Sequence, residues 1–238
     1  MNSKLCLALD GLPLSSALVL AKALGPRCYA VKAHELHDAH GPVIIDALKQ
    51  GGAKRIWIDY KTHDTPDTVA LRVKSLVWNG ADIVTVHASG GVLMMCAAVE
   101  AARIKSSASP AEIWAITVLT SLGSDEIARI YGADRTPQQI VLDLALMAKE
   151  AGVTGLVCSA QEVVSLRECQ DLNDMKLVVP GTRSVGVALG NSQKRSGTPA
   201  QTIADGATLL VAGSQVTRAA DPVEAFNTMA DEIGMDRD

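Results

Sequence analysis

Residues 55–68 read Arg-Ile-Trp-Ile-Asp-Tyr-Lys-Thr-His-Asp-Thr-Pro-Asp-Thr, an apolar run that passes directly into charged and hydrogen-bonding residues. The apolar part is typical of a buried strand, and side chains alternate across a strand, so Asp59 and Lys61 are expected on the same side. Asp64 follows three residues after the lysine, and Pro66 stiffens the chain beyond it. We therefore expect two carboxylates and an ammonium to lie close together where the strand ends. Such a cluster is costly to desolvate, which favours a chemical role over a stabilising one or a solvated run of charges.

Similar apolar runs recur at fairly even spacing along the chain, each followed by a helical pattern. The predicted strands are Leu5–Asp10, Cys28–Lys32, Arg55–Tyr60, Ile83–Ala88, Ile113–Thr120, Gly155–Ser159, Lys176–Gly181 and Thr208–Gly213. The helical patterns between them include Ser15–Leu24, Val43–Gln50, Asp67–Trp78, Gln138–Glu150 and Pro199–Ile203. Runs that are apolar on both faces are typical of parallel strands covered by helices. Eight strand–helix repeats in 238 residues predict an α/β fold, a (β/α)8 TIM barrel with residues 1–238 as a single domain.

Composition excludes several classes of protein. The net charge of -4 argues against a general nucleic-acid binder, and an aromatic content of 3% argues against base stacking. No apolar run approaches the roughly 18 residues of a membrane span, and the start of the chain reads as a first strand rather than a secretory signal. The five cysteines are widely spaced and odd in number, which favours reduced thiols in a cytoplasmic protein.

Polar residues stand at nearly every predicted strand end, where the active sites of such barrels lie. They are Asp10, Lys32, Asp59, Lys61, His87, Thr120 and Ser159. Strand seven ends in Pro180-Gly181 and leads into the glycine-rich segment 182–198, while strand eight ends in Gly213-Ser214. Loops in these two positions of a barrel commonly bind a phosphate group through backbone N–H groups. The sequence therefore predicts an enzyme whose substrate carries a phosphate.

The motifs are specific enough to identify a family. They are Asp-x-Lys-x-His-Asp-x-Pro-x-Thr at 59–68, Thr-Val-His-Ala-Ser-Gly-Gly at 85–91, Thr-Val-Leu-Thr-Ser at 117–121, Val-Cys-Ser-Ala at 157–160, Pro-Gly-Thr-Arg at 180–183 and Gln-Lys-Arg at 193–195. In this order the chain resembles orotidine 5'-monophosphate decarboxylase from Leu7 to Pro222. The Asp-x-Lys-x-x-Asp part alone is shared with sugar-phosphate decarboxylases of the same superfamily. His63, Pro66 and Thr68 make the match to the nucleotide enzyme more specific.

The resemblance implies a carboxy-lyase of pyrimidine biosynthesis that releases CO2 from C6 of the orotate nucleotide and yields uridine 5'-monophosphate, without metal or organic cofactor. The carbanion left at C6 has no adjacent electron sink, so preorganised charge must stabilise it. By resemblance, Lys61 is the proton donor to C6. Asp59 lies against the departing carboxylate and keeps Lys61 charged. Lys32 completes the row of charges and reaches the ribose.

The other site residues follow from the same resemblance or from their place at strand ends. Asp64 and Thr68 enter the partner subunit's site, which implies a homodimer with shared active sites. Asp10 binds a ribose hydroxyl, Thr120 contacts the pyrimidine, and Gln193 and the Gly213 backbone face the phosphate. The remaining predicted substrate-binding residues are Ser159, Pro180, Arg183 and Ser214.

One departure from the family pattern concerns the phosphate. The family reads Gly-Arg-Pro-Ile-Thr after strand eight, where this chain reads Gly213-Ser214-Gln215-Val216-Thr217, so the arginine that forks onto the phosphate is absent. The basic residues nearby that offer a replacement are Arg218, Arg183, Lys194 and Arg195. Ser192 also stands where an aspartate often precedes Gln-Lys-Arg.

A second departure follows Lys32, where Ala33-His34 replaces Val-Gly. The same region holds His34, His37 and His40, which we interpret as surface or packing residues rather than a metal site. Two alternatives remain open at this point. One is a magnesium-dependent sister enzyme that acts on a sugar phosphate. The other is a catalytically weak homologue that binds a nucleotide, as the serine at position 214 permits.

Overall fold

The computed structural model describes residues 3–104, 110–132, 134–184, 186–187 and 195–236. Eight parallel strands in these ranges close into a barrel in which each strand pairs with the next along the chain and the last pairs with the first. They are β1 Leu5–Ala8, β2 Ala30–Ala33, β3 Ile56–Thr62, β4 Ile83–His87, β5 Glu112–Ile116, β6 Gly155–Val157, β7 Lys176–Pro180 and β8 Leu209–Ala212. The predicted fold class is confirmed, because every predicted apolar run overlaps one barrel strand.

Helices connect the strands around the outside of the barrel. In the described ranges they are α1 Leu14–Leu24, α2 Glu35–His40, α3 Val43–Gln50, α4 Pro66–Trp78, α5 Val92–Ala102, α6 Ser124–Tyr131, α7 Pro137–Glu150, α8 Val163–Glu168, α9 Pro199–Ala204, α10 Ser214–Thr217 and α11 Pro222–Glu232. Several begin with a proline in the first turn, where its missing N–H costs nothing. The hydroxyls of Thr136 and Thr198 and the carboxylate of Asp221 cap α7, α9 and α11. None of the described helices is long and apolar enough to cross a membrane.

Apolar side chains fill two layers. The larger layer lies between the sheet and the helices, where the outward faces of the strands and the inward faces of the helices bury Leu, Ile, Val, Ala and Met side chains. The smaller cluster fills the barrel interior and includes Trp57 and Trp114, whose rings meet edge to face at 4.8 Å between centroids. Three of the five cysteines, Cys6, Cys28 and Cys158, are buried, as expected for structural thiols.

A polar network closes the end of the barrel where the strands begin. Glu112, the first residue of β5, accepts hydrogen bonds from Tyr29 Oη at 2.9 Å and from Trp114 Nε1 at 2.8 Å. It also pairs with Arg55 at 2.7 Å and with Lys176 at 3.0 Å. Burial by itself raises the pKa of Glu112, but Arg55, the Trp114 bond and Lys176 outweigh it and hold the pKa below its ordinary value. The network lies at the opposite end from the strand carboxyl ends and therefore serves the fold.

Strand β3 differs from its neighbours in length and register. Ile58 pairs with Val84 and Thr62 with Val86, so four steps along β3 match two steps along β4. Lys61 lies inside this irregularity with φ of +50°, the one positive φ of a non-glycine residue within the described ranges. A side chain with a Cβ resists this left-handed conformation, so the surrounding structure must hold it. The irregularity extends β3 to Thr62, two residues beyond its predicted end.

Candidate active site

A cavity of about 310 Å³ opens at the end of the barrel where the strands finish. Its lining includes the charged residues Asp10, Lys32, Asp59, Lys61, Arg183 and Arg218. It also includes Thr120, Pro180, Gly213 and Ser214, all of them predicted from the sequence as substrate-binding residues. Ala8, Trp57, Ile116, Val118, Leu119, Val157, Gly181, Val211 and Thr217 complete the wall. One cavity thus has a charged side, an apolar side and a rim of loop residues, which suits a small polar ligand with an apolar ring face.

Four charged side chains form an alternating row along one wall. The Lys32 ammonium donates to the Asp10 carboxylate and lies 3.0 Å from Asp59 Oδ2. The same Asp59 oxygen lies 2.7 Å from Lys61 Nζ. The order along the wall is therefore Asp10, Lys32, Asp59, Lys61, with opposite charges adjacent throughout. Lys32 and Asp59 are each only 5% exposed, so these ion pairs lie where water screens them little.

Asp59 is the centre of the row and is fixed by neutral partners as well. Its Oδ1 accepts a hydrogen bond from Thr85 Oγ1 at 2.7 Å, and Trp57 Nε1 donates to the same hydroxyl at 2.9 Å. Burial by itself raises the pKa of Asp59, but Lys32 and Lys61 outweigh it, so the pKa lies below its ordinary value. The carboxylate is consequently both ionised at neutral pH and fixed in orientation.

Lys32 is held charged by the same row. Burial by itself lowers the pKa of its ammonium, but Asp59 and Asp10 outweigh it and raise the pKa above its ordinary value. A buried lysine that stays charged in this way is a fixed positive charge rather than a proton carrier. Lys61 is more accessible, since its side chain is 33% exposed compared with 7% for Lys32. Of the two ammonium groups, Lys61 is the one that a ligand in the cavity can approach.

The structure does not bring Asp64 into this cluster. Asp64 is exposed, and its Oδ1 accepts a hydrogen bond from the neighbouring Thr65 N–H at 2.6 Å. Thr68 is also exposed on the first turn of α4, and its hydroxyl lies 3.0 Å from that of Thr65. The expectation that Asp64 joins Asp59 and Lys61 within one chain is therefore wrong. Neither Asp64 nor Thr68 is among the residues that line the cavity.

His63 and His87 stand beside Lys61 at the ends of β3 and β4. Their rings lie 5.5 Å apart between centroids, and His63 is exposed while His87 is half-buried. Burial, together with His63 and Lys61, lowers the pKa of His87, with Asp59 opposing this. The His87 ring is therefore neutral at physiological pH and borders the charged row without adding to its charge.

Arg183 and α10 form the rim of the cavity next to the ends of β7 and β8. Arg183 Nη2 donates to Ser214 Oγ at 3.2 Å, and Gln215 makes two bonds to Ser184, one to its backbone N–H at 3.0 Å and one to its hydroxyl at 2.6 Å. These three bonds fasten the chain after β7 to α10. The position that Ser214 occupies is thus next to a guanidinium that comes from another loop.

Arg195 is not available to a ligand. It is buried, its guanidinium pairs with Glu162, and it donates to the carbonyl of Val118 at 3.2 Å and to that of Leu119 at 3.0 Å. Gln193 and Lys194, with Ser192 before them, lie outside the described residues. Three of the four basic residues considered as replacements for the missing arginine lie among the described residues, and of these Arg183 and Arg218 line the cavity whereas Arg195 does not.

Ser159 lies apart from the other predicted residues. It is fully buried before a short helical turn, and its backbone N–H donates to Glu162 Oε2 at 2.7 Å. It is not among the residues that line the cavity. Glu162 also pairs with Arg195, which donates to the carbonyls of Val118 and Leu119 in the loop after β5. Ser159 therefore belongs to the contacts that hold this loop in place and not to the cavity wall.

The three histidines after β2 pack against Tyr60 or face solvent. His37 Nδ1 lies 2.6 Å from Tyr60 Oη, and His34 contacts the same ring edge-on, while His40 is exposed. Among the described residues no three His, Cys, Asp or Glu side chains are arranged to hold a metal ion. His34 and His37 therefore have packing contacts with Tyr60, and His40 lies at the surface.

Sequence reasoning missed Thr85 and Trp57, which position Asp59, and the apolar wall formed by Ile116, Val118 and Leu119. Thr85 did leave a signal, because it is a hydroxyl residue inside the otherwise apolar run Ile83–Val86. A buried hydroxyl in such a run needs a hydrogen-bonding partner, and in this protein the partner is the central carboxylate of the site.

The chain is similar to known proteins over nearly its whole length. Residues 3–229 match the model of the family described as Orotidine 5'-phosphate decarboxylase / HUMPS family. Orotidine 5'-phosphate decarboxylase of Nostoc sp. is 38% identical over 236 residues and covers 98% of both chains. The Pseudomonas aeruginosa protein of that name is 39% identical over 234 residues with the same coverage. The crystal structure of orotidine 5'-phosphate decarboxylase from Lactobacillus acidophilus superposes with a TM-score of 0.80 at 30% identity, over 97% of this chain and 99% of that one.

Proposed function

The chain belongs to the Orotidine 5'-phosphate decarboxylase / HUMPS family, and we propose that it decarboxylates orotidine 5'-monophosphate to uridine 5'-monophosphate and CO2. The observation that carries this proposal is the row Asp10, Lys32, Asp59, Lys61 at the mouth of the barrel, in which the two middle residues are buried. The row places one reachable ammonium next to one buried carboxylate. That is the arrangement needed to expel a carboxylate and then protonate the carbon it leaves.

In the proposed reaction the carboxylate at C6 of the pyrimidine lies beside Asp59. Two like charges close together in a buried site repel, and loss of neutral CO2 removes that repulsion. The C6–carboxylate bond breaks with its electron pair staying on C6. Lys61 then donates a proton to C6, and its amine takes a proton back from solvent. The fixed charges need no rearrangement during these steps, which is how preorganised electrostatics lowers a barrier.

The reaction balances without an added oxidant, reductant or electron sink, so we propose that it uses no cofactor. Asp10 and Lys32 would bind the ribose, and Thr120 and the apolar wall the pyrimidine. Pro180, Arg183, Gly213 and Ser214 would surround the phosphate at the rim. We propose that Gln193 contacts the phosphate, as the family resemblance implies. Ser159 does not line the cavity and would support the wall that contacts the pyrimidine.

We further propose that the enzyme is a cytoplasmic homodimer with shared active sites. Asp64 and Thr68 are exposed and do not line their own cavity, which supports a role in the site of a second copy. Leu71 on α4 and Leu93 on α5 are 70% and 78% exposed. Large apolar side chains exposed next to a functional loop are typical of a surface that another chain covers.

The proposal is tested by incubating the purified protein with orotidine 5'-monophosphate in the presence of a chelator and following the loss of ultraviolet absorbance. We expect metal-independent turnover by the wild type and none by Lys61→Ala. Turnover only after magnesium is restored, and only of a sugar phosphate, would support the sister enzyme instead. A folded protein that binds uridine 5'-monophosphate but turns nothing over would be a binding homologue.

A further inference from the structure

We propose that Arg218 binds the phosphate group of the nucleotide and supplies the positive charge that the serine at position 214 lacks. The inference rests on the proposed function, because it takes the ligand to be a nucleoside monophosphate. It adds a residue that the family pattern does not assign to the site. Three observations support it: the charge balance of the cavity, the position of the Arg218 guanidinium, and its relation to Ser214.

The charge balance leaves the two arginines without an opposing charge. The described cavity wall carries four cations and two anions: Lys32, Lys61, Arg183 and Arg218 against Asp10 and Asp59. The lysines and aspartates alternate in one row and offset each other. The remaining two positive charges belong to the guanidiniums at the rim. A phosphomonoester carries a charge of about −1.5 to −2 at neutral pH, which matches that surplus.

The guanidinium of Arg218 lies against the loop after β1. A Cβ built on Gly11 would come within 3.2 Å of Arg218 Nη2, and Gly11 has φ of +72°. Because Gly11 has no side chain, the Arg218 guanidinium can lie close to its backbone. Gly11 is the residue after Asp10, so the guanidinium lies near the start of the charged row. Glu35, which accepts a hydrogen bond from the Gly11 N–H, is not among the residues that line the cavity. Among the described residues no ion pair occupies the Arg218 guanidinium.

Ser214 connects the two arginines. Its hydroxyl accepts a hydrogen bond from Arg183 at 3.2 Å, and its carbonyl accepts one from the backbone N–H of Arg218, also at 3.2 Å. The two bonds between Gln215 and Ser184 hold α10 and the chain after β7 in this arrangement. A phosphate that enters the rim here would replace the neutral Ser214 hydroxyl as the partner of Arg183, with Arg218 as its second cation. Bonds from guanidinium to phosphate are much stronger than bonds to a hydroxyl.

The test compares two ligands that differ only in the phosphate. Calorimetry would measure the binding of uridine 5'-monophosphate and of uridine to the full-length wild type, Arg218→Gln and Arg218→Lys. The matched control is Arg103→Gln, which removes an exposed guanidinium at the end of α5 that does not line the cavity. Arg218 is exposed, so its replacement should leave the melting temperature unchanged.

We expect Arg218→Gln to weaken binding of uridine 5'-monophosphate roughly 10- to 100-fold, the effect of one lost charge-assisted hydrogen bond. Binding of uridine should not change. Arg218→Lys should retain more affinity than Arg218→Gln, and Arg103→Gln should match the wild type.

Three results would overturn the inference while leaving the proposed function intact: unchanged nucleotide affinity in Arg218→Gln, an equal loss for uridine, or equal losses in the Lys and Gln variants. If the wild type binds neither ligand, the proposed function fails, and this inference fails with it.

Discussion

Asp59 Oδ2 lies 2.7 Å from Lys61 Nζ, and Lys61 reaches that position with a left-handed backbone. The same oxygen lies 3.0 Å from Lys32, so the ion pair is one part of a longer row. Non-glycine residues in this conformation cost of the order of 1–3 kcal/mol and persist where surrounding structure holds them. The fold therefore gives up stability to hold the ammonium beside the carboxylate.

Replacing Lys61 with alanine should reduce turnover at least roughly 10³-fold, since it removes both the proton donor and half of the ion pair. The melting temperature should not fall by more than a few degrees, because the side chain is a third exposed. Lys149→Ala, which breaks an exposed pair with Asp174, is the matched control and should turn over normally. Turnover within tenfold of the wild type in Lys61→Ala would remove Lys61 from the mechanism.

Asp64→Asn should lose activity as a pure protein, because we place Asp64 in the site of the second copy. Mixing it with Lys61→Ala and allowing subunits to exchange should restore activity, since one of the two sites in a mixed dimer then has both groups. The expected recovery is up to about one quarter of the wild-type rate with random exchange and full site independence. Mixed dimers demonstrated by mass spectrometry but inactive would refute shared sites.

Thr85→Val should impair turnover without unfolding the barrel. Valine keeps the shape of threonine but leaves Asp59 Oδ1 and Trp57 Nε1 without their shared partner. A lost buried hydrogen bond to a charged group costs about 1.5–3 kcal/mol, so kcat should fall roughly 10- to 100-fold. Thr85→Ser restores the hydroxyl and should recover most of kcat. If the serine and valine variants are equally slow, the hydroxyl is not what positions Asp59.

Glu112→Gln should lower the stability of the fold without changing the catalytic activity. The substitution removes the charge that Arg55 and Lys176 share at the far end of the barrel. We expect the free energy of unfolding to fall by about 1–3 kcal/mol, measured by urea titration. Both kcat and KM should remain at wild-type values at 25 °C. A change in kcat alone would mean that the two ends of the barrel are coupled.

Stability should decline as pH falls below 6.5, in part because of His87. Burial, His63 and Lys61 lower its pKa in the folded state, so the unfolded chain takes up the proton first. The free energy of unfolding therefore rises with pH between the folded pKa and the ordinary value of 6.5. His87→Asn should flatten this slope in urea titrations at several pH values. Identical slopes in wild type and His87→Asn would assign the pH dependence to other groups.

The eight strands could be predicted because each is buried on both faces and reads as an apolar run. The strand ends were less accurate: β5 stops at Ile116 rather than Thr120, and β3 continues to Thr62. The left-handed backbone of Lys61 could not be predicted, since lysine disfavours that conformation and only tertiary contacts impose it. Alternation along β3 did place Asp59 and Lys61 together, although the real strand is irregular there.

Contacts between loops that are distant in the sequence could not be predicted from local sequence patterns either. Arg183 and Ser214 are joined by a hydrogen bond although 31 residues separate them, and Arg195 and Glu162 by a buried ion pair across 33 residues. The sequence presented Arg195 and Arg183 as equivalent basic residues near a phosphate loop. Burial separates them, because the Arg195 guanidinium is satisfied by a carboxylate and two carbonyls and the Arg183 guanidinium faces the cavity.

The position of Trp57 gives the protein an optical signal of its own. Its indole lines the cavity, lies 5.7 Å from the Lys32 ammonium and contacts Trp114, whereas the third tryptophan, Trp78, is 77% exposed on the outer surface. A nucleotide that enters the cavity changes the charge and polarity next to the Trp57 ring and should shift its fluorescence emission. In a Trp78→Phe background the remaining emission comes only from the barrel interior, so binding can be titrated without a label.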